Sequence, residues 1–127
     1  TIYIGGGTPT ILSTSQLELL LSYIASKTDV TMLEEFTLEG GRPDTITAQK
    51  LKICKKYGVT RISVNPQTLN DEILAAIGRA HTVDDFLRAY DLVREKGPKH
   101  INVDLIAGLP LDNFLNFIYR IVFKFFN

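Results

Sequence analysis

The chain has 127 residues, 45% of them hydrophobic, enough for one ordinary domain with a real core. Its 14 Lys and Arg balance 14 Asp and Glu, which argues against a nucleic acid or an acidic membrane surface as partner. A single cysteine, Cys54, excludes a disulfide framework and any all-cysteine metal site made within these residues. No signal-peptide or transit pattern is read in the sequence, so a reducing, cytoplasmic setting is expected. The apolar ending FLNFIYRIVFKFFN is short and carries Arg120 and Lys124, so no membrane span is expected either.

Residues 1–4 alternate and favour a strand, which runs into Gly5, Gly6 and Gly7. Ser13 with Gln16 predicts a capping box, and Leu17, Leu20, Leu21 and Ile24 then mark one face of a helix. MLEEFTLE predicts a second strand, with Leu33, Phe36 and Leu38 as its apolar content. Asp44 is a candidate cap for the next helix, where Ala48, Leu51 and Cys54 share a face and Gly58 takes the stop position. TRISVN predicts a third strand. Asn70 then caps a short helix ending at Gly78, with Leu69 and Leu74 placed as a hydrophobic staple. Thr82 and Asp85 predict a second capping box. The stripe Phe86, Ala89, Tyr90 and Val93 follows, closed by Gly97-Pro98. INVDLIAGLP predicts a fourth strand.

Strands alternating with helices argue for an α/β fold with a parallel sheet and helical crossovers. Four such strands with an apolar, off-pattern tail predict a parallel β/α arc of a partial TIM-type barrel. Residues 1–110 form its central part, and 111–127 form a helical tail. Such an arc would expose strand edges and an apolar inner wall, which the tail's phenylalanines would help to cover and which would favour self-association.

The polar residues fall at the carboxyl ends of these strands. Gly5 to Gly7 end the first, Glu39 the second, Asn65 and Gln67 the third, and Asp104 lies on the fourth. In a parallel barrel those ends converge on the ligand-binding face. Glycine lets a ligand approach main-chain groups that a Cβ would block. The run GGGTP on its own fits a pocket and a tight turn equally well, since it lacks the lysine of a phosphate loop and the dinucleotide spacing. Asp104 lies between Val103 and Leu105, where a buried carboxylate needs a partner, so burial within a site is expected. Arg79 and His81 lie in a connection where a guanidinium is usually solvated and a lone histidine usually structural. Cys54, beside Leu51, reads as a buried structural thiol.

Five segments in this order, GGGTPT, FTLEGGRPDTIT, GVTRISVNPQTLND, IGRAHT and NVDLIAGLP, resemble the radical S-adenosylmethionine enzymes related to oxygen-independent coproporphyrinogen III oxidase. The resemblance runs from Thr1 to Pro110, and EGGRPDT with NPQT is most similar to the coproporphyrinogen dehydrogenase branch. It implies that Gly5, Gly6, Gly7 and Thr8 hold the methionyl amino group of S-adenosylmethionine. It further implies that Glu39 and Arg79 address the amino acid end, that Gln67 and Asp104 address the ribose hydroxyls, and that Ile106 packs near the adenine. In such enzymes a four-iron–four-sulfur cluster cleaves the cofactor, and the resulting radical abstracts hydrogen from a propionate that becomes a vinyl group. The implied substrate is a tetrapyrrole, and the pathway is porphyrin and haem biosynthesis. A haem chaperone on the same barrel is the alternative, and an inactive remnant or a plain α/β phosphate-binding domain are further ones. The family's Cys-x-x-x-Cys-x-x-Cys loop is not in this sequence, and Cys54 supplies only one of the three thiolates it would provide. The cluster ligands are therefore expected upstream of Thr1, and these residues alone are expected to be inactive.

Overall fold

The computed structural model describes residues 1–125, without the side chains of 116, 119, 120 and 123–125. Four short strands, β1 (Ile2–Ile4), β2 (Phe36–Glu39), β3 (Arg61–Ser63) and β4 (His100–Asn102), form one parallel sheet in chain order. Tyr3, Thr37, Arg61 and His100 stand in one row across it, and Glu39, Ser63 and Asn102 in another. The helices are α1 (Thr14–Lys27), α2 (Ala48–Lys56), α3 (Asp71–Ala76), α4 (Val83–Lys96) and α5 (Phe114–Phe125). Parallel neighbours joined through helices give the expected β/α arc.

Local chemistry sets most boundaries. Ser13 with Gln16 and Thr82 with Asp85 both form reciprocal capping boxes, and Asn70 caps α3 by accepting from the Glu72 N–H. Asp44 does not cap α2. A 3-10 turn over Pro43–Thr45 intervenes, the cap is Thr47, and Asp44 instead pairs with Arg42. The second strand starts later than its sequence suggests. The Asp29 carboxylate accepts from the Thr31 N–H and holds Val30–Met32 in a 3-10 turn. Ala48 is exposed, and α2 buries Leu51, Ile53 and Cys54 instead.

The core lies on one side of the sheet, in two clusters bridged by α2. Leu17, Leu21, Phe36, Leu38, Ile53, Cys54 and Val59 form one, beneath α1. Ile46, Leu51, Ile62, Val64, Leu69, Phe86, Ala89 and Val93 form the other, beneath α4. Ile2 and Ile4 pack against the first, and Ile101, Val103 and Leu105 against the second. Because side chains alternate along a strand, this assigns the intervening residues to the opposite, concave face. They are Tyr3, Thr37, Glu39, Arg61, Ser63, Asn65, His100, Asn102 and Asp104. The inner wall is therefore polar, not apolar as expected, since the strands' aliphatic residues all serve the helical side. Of the tail phenylalanines expected to help cover that wall, Phe123, Phe125 and Phe126 lie outside the described side chains. Phe117 and Ile121 of α5 line a crevice with Thr68, Leu69 and Leu105, while Leu111, Phe114, Leu115, Ile118 and Val122 are exposed.

Candidate functional site

At the end of β1 the three glycines serve two needs. A Cβ on Gly5 would sit 2.2 Å from Tyr3 Cε1 and 2.8 Å from Glu39 Oε2, so only glycine leaves room for that pair. Gly6 and Gly7 adopt φ of 82° and 58°, which disfavours other residues, and nothing lies within 4 Å of a Cβ built on either. Their main chain faces open space. The Glu39 carboxylate reaches back to this loop: Oε2 accepts from the Gly6 N–H and from the Tyr3 hydroxyl, both at 3.3 Å. Tyr3 is a member of this group that sequence reasoning missed; its place in the strand alternation, opposite Ile2 and Ile4, was the available signal. Desolvation, then the charge of Glu39 and its hydrogen bond, and last the charge of Asp104 raise the Tyr3 hydroxyl above its usual pKa. Tyr3, Glu39 and Asp104 thus share one electrostatic neighbourhood.

Beyond β3 and β4 the backbone couples three more of the expected residues. Gln67 N–H donates to Asp104 O at 3.3 Å, and Ile106 N–H donates to Gln67 O at 2.8 Å. Gln67 is held there with φ of 69°, a left-handed conformation that costs a non-glycine residue about 1–2 kcal/mol. The neighbouring parallel bridge between Gln67 and Leu105 retains it. Asp104 is exposed, contrary to the burial expected from its apolar neighbours. Val103 and Leu105 point into the helical side, so alternation turns Asp104 to the concave face, where it accepts from Asn102 Nδ2 at 2.8 Å. Asn65, buried beneath, accepts from the Asp104 N–H at 3.3 Å. Ser63 is also buried, and its hydroxyl has no partner among the described residues.

Thr8 is half-buried and its methyl lies against Gly41. The loops carrying Thr8 and Glu39 are clasped by Thr10, which sequence reasoning also missed. Its buried hydroxyl contacts Gly40 O and Thr45 Oγ1, while Lys50 Nζ donates to Thr10 O and to Thr45 O. Arg79 makes none of these contacts. It is exposed between α3 and α4, and its side chain has no hydrogen-bond or ion-pair partner among the described residues. His81 is buried with Nε2 3.4 Å from Pro66 O, a structural placement.

The ammonium group of a zwitterionic ligand fits at the open main chain of Gly6 and Gly7, beside the Glu39 carboxylate. An iron–sulfur cluster does not. No group of three or more His, Cys, Asp or Glu among the described residues is placed to hold a metal. Burial raises the Cys54 thiol to about 12, so it is not a thiolate at neutral pH. No helix among the described residues is long and apolar enough to cross a membrane.

Residues 1–118 match the Radical SAM superfamily, and the chain belongs to it. It is 50% identical over 111 residues to the oxygen-independent coproporphyrinogen-III oxidase-like protein HemZ of Bacillus subtilis, covering 87% of this chain and 22% of that protein. It is 43% identical over 110 residues to the heme chaperone HemW of Lactococcus lactis, covering 87% of this chain and 29% of that one. Among solved structures it is similar to coproporphyrinogen III oxidase HemN of Escherichia coli, a radical SAM enzyme. That match has a TM-score of 0.79 and 26% identity, over 94% of this chain and 28% of that one. The chain thus spans less than a third of the length of these relatives.

Proposed function

We propose that these residues are the cofactor-binding part of a radical S-adenosylmethionine oxidoreductase acting on a tetrapyrrole, in the manner of a coproporphyrinogen dehydrogenase. The reading is carried by one observation: Glu39 bonded to Gly6 on a glycine-opened strand end, facing Asp104 across a polar concave wall. Gly5, Gly6, Gly7 and Thr8 with Glu39 would bind the amino acid end of the cofactor. Gln67 and Asp104 would hold the ribose, and Ile106, 41% exposed, would cover the adenine. The bound cofactor would supply the radical chemistry for oxidative decarboxylation of substrate propionates. The chain's own residues would bind, orient and shield it. A four-iron–four-sulfur cluster would be held by residues other than these 127, so the chain by itself would bind the cofactor weakly and turn nothing over.

A haem chaperone built on the same barrel is the second reading, favoured by 43% identity to such a protein over the same segment. The test is a longer protein that joins this chain to a Cys-x-x-x-Cys-x-x-Cys loop, reconstituted anaerobically with iron and sulfide. Reductive cleavage of S-adenosylmethionine is expected, and vinyl product from coproporphyrinogen III marks the oxidase. Tight haem binding without product marks the chaperone. Asp104→Asn should weaken cofactor binding and leave the cluster spectrum unchanged; unaltered binding would remove Asp104 from the site.

A further inference from the structure

The three glycines after β1 differ in what they require. Gly6 and Gly7 have positive φ and Gly5 does not, so the backbone alone leaves position 5 open to other residues. Space is what closes it. Tyr3 and Gly5 are two apart on one strand and share the concave face, and the missing Cβ lets the tyrosine ring lie across the glycine. A Cβ there would meet the ring at both Cε1 and Cδ1, at 2.2 and 3.0 Å, as well as Glu39 Oε2 at 2.8 Å.

The ring delivers its hydroxyl to the next strand. Tyr3 pairs with Thr37, two residues before Glu39 on the same face, an offset of about 6.6 Å that a tyrosine is long enough to span. Its hydroxyl and the Gly6 N–H both donate to Glu39 Oε2, while Oε1 has no hydrogen-bond partner among the described residues. Desolvation and the charges of Glu39 and Asp104 keep that hydroxyl protonated, so it stays a donor. One carboxylate oxygen is thus held from two sides and the other is left for a further donor.

We propose that Tyr3 is a positioning residue: it holds one oxygen of Glu39 against the Gly6 N–H so that the other is presented to an ammonium group of the ligand. The ligand's identity rests on the proposed function; the hold on Glu39 does not. Without the hydroxyl the carboxylate keeps its charge but turns more freely, and ordering it on binding costs affinity.

The test compares the chain with Tyr3→Phe, which keeps the ring beside Gly5 and removes only the hydroxyl. Calorimetry is done with S-adenosylhomocysteine and with 5′-methylthioadenosine, which keeps the adenosine and lacks the amino acid. Tyr3→Phe should raise the dissociation constant for S-adenosylhomocysteine about fivefold and leave that for 5′-methylthioadenosine unchanged. In a Glu39→Ala background the same substitution should have no further effect, since the group it acts through is gone. Two signals read the hold without any ligand: Tyr3→Phe should shift the Glu39 carboxyl carbon resonance and speed exchange of the Gly6 amide. Equal losses for both ligands, an unchanged constant for S-adenosylhomocysteine, or a loss that persists in the Glu39→Ala background would overturn the proposal. If the parent chain does not bind S-adenosylhomocysteine, the cofactor reading fails and the ligand-free signals decide. Movement of both then sustains the role of Tyr3, and stillness of either overturns it.

Discussion

The two faces of the sheet are made by the same four strands and differ in nearly every property. On the helical side Phe36, Leu38, Ile62 and Val64 are buried among leucines and Phe86. On the concave side Tyr3, Glu39, Asn102 and Asp104 hold one another through hydrogen bonds and charge, and Gly6 and Gly7 leave their main chain open. One face obtains its free energy from removing carbon from water, the other keeps polar groups arranged for a ligand. Substitutions on the first should change stability, and substitutions on the second should change binding.

The largest effect is expected at Phe86. Phe86→Ala should lower unfolding free energy by about 3–5 kcal/mol in urea titration, through lost burial and a cavity beneath α4. A loss under ~1 kcal/mol would break the contrast. Thr10→Val removes the hydroxyl that clasps the two site loops and leaves Gly40 O without that donor. It should cost about 1–3 kcal/mol and weaken ligand binding as well, since the clasp supports both faces. Glu39→Gln should change stability by no more than ~1 kcal/mol, yet weaken S-adenosylhomocysteine binding by about tenfold in calorimetry. Ser63→Ala should be neutral or slightly stabilising, within about 0.5 kcal/mol, because the hydroxyl it removes is buried without a partner.

Acid should also act on the helical side, at the start of α4. Hydrogen bonds from Thr82, with Arg88 beside it, lower the Asp85 carboxyl to about 2, against an ordinary value of 3.8. A depressed folded pKa contributes stability above the unfolded value and loses it as pH falls toward the folded one. The α4 N-terminus should therefore loosen between pH 3.8 and about 2. Thr82→Ala should flatten that part of the profile.

The arc, its strand order and most of its helix caps were legible in the sequence, because Ser13-Gln16, Thr82-Asp85 and Asn70 act within one turn of chain. The position of Asp104 on its strand was legible too, but its exposure was not. Apolar neighbours in sequence are not neighbours in space when successive side chains face opposite ways. The same alternation, applied throughout, would have revealed the polar wall and Tyr3. Thr10, Thr45 and Lys50 were hidden for a different reason: their partners lie on another loop, and no local pattern announces such a clasp.

The measurement that tests the two-faced sheet most directly is amide chemical-shift mapping of this chain with S-adenosylhomocysteine. Perturbations should gather at Gly5–Thr8, Glu39, Gln67 and Asp104–Ile106, leaving Leu17, Leu21, Ala89 and Val93 on the helical side unmoved. Shifts centred on α1, α2 or α4, with the strand ends silent, would contradict it.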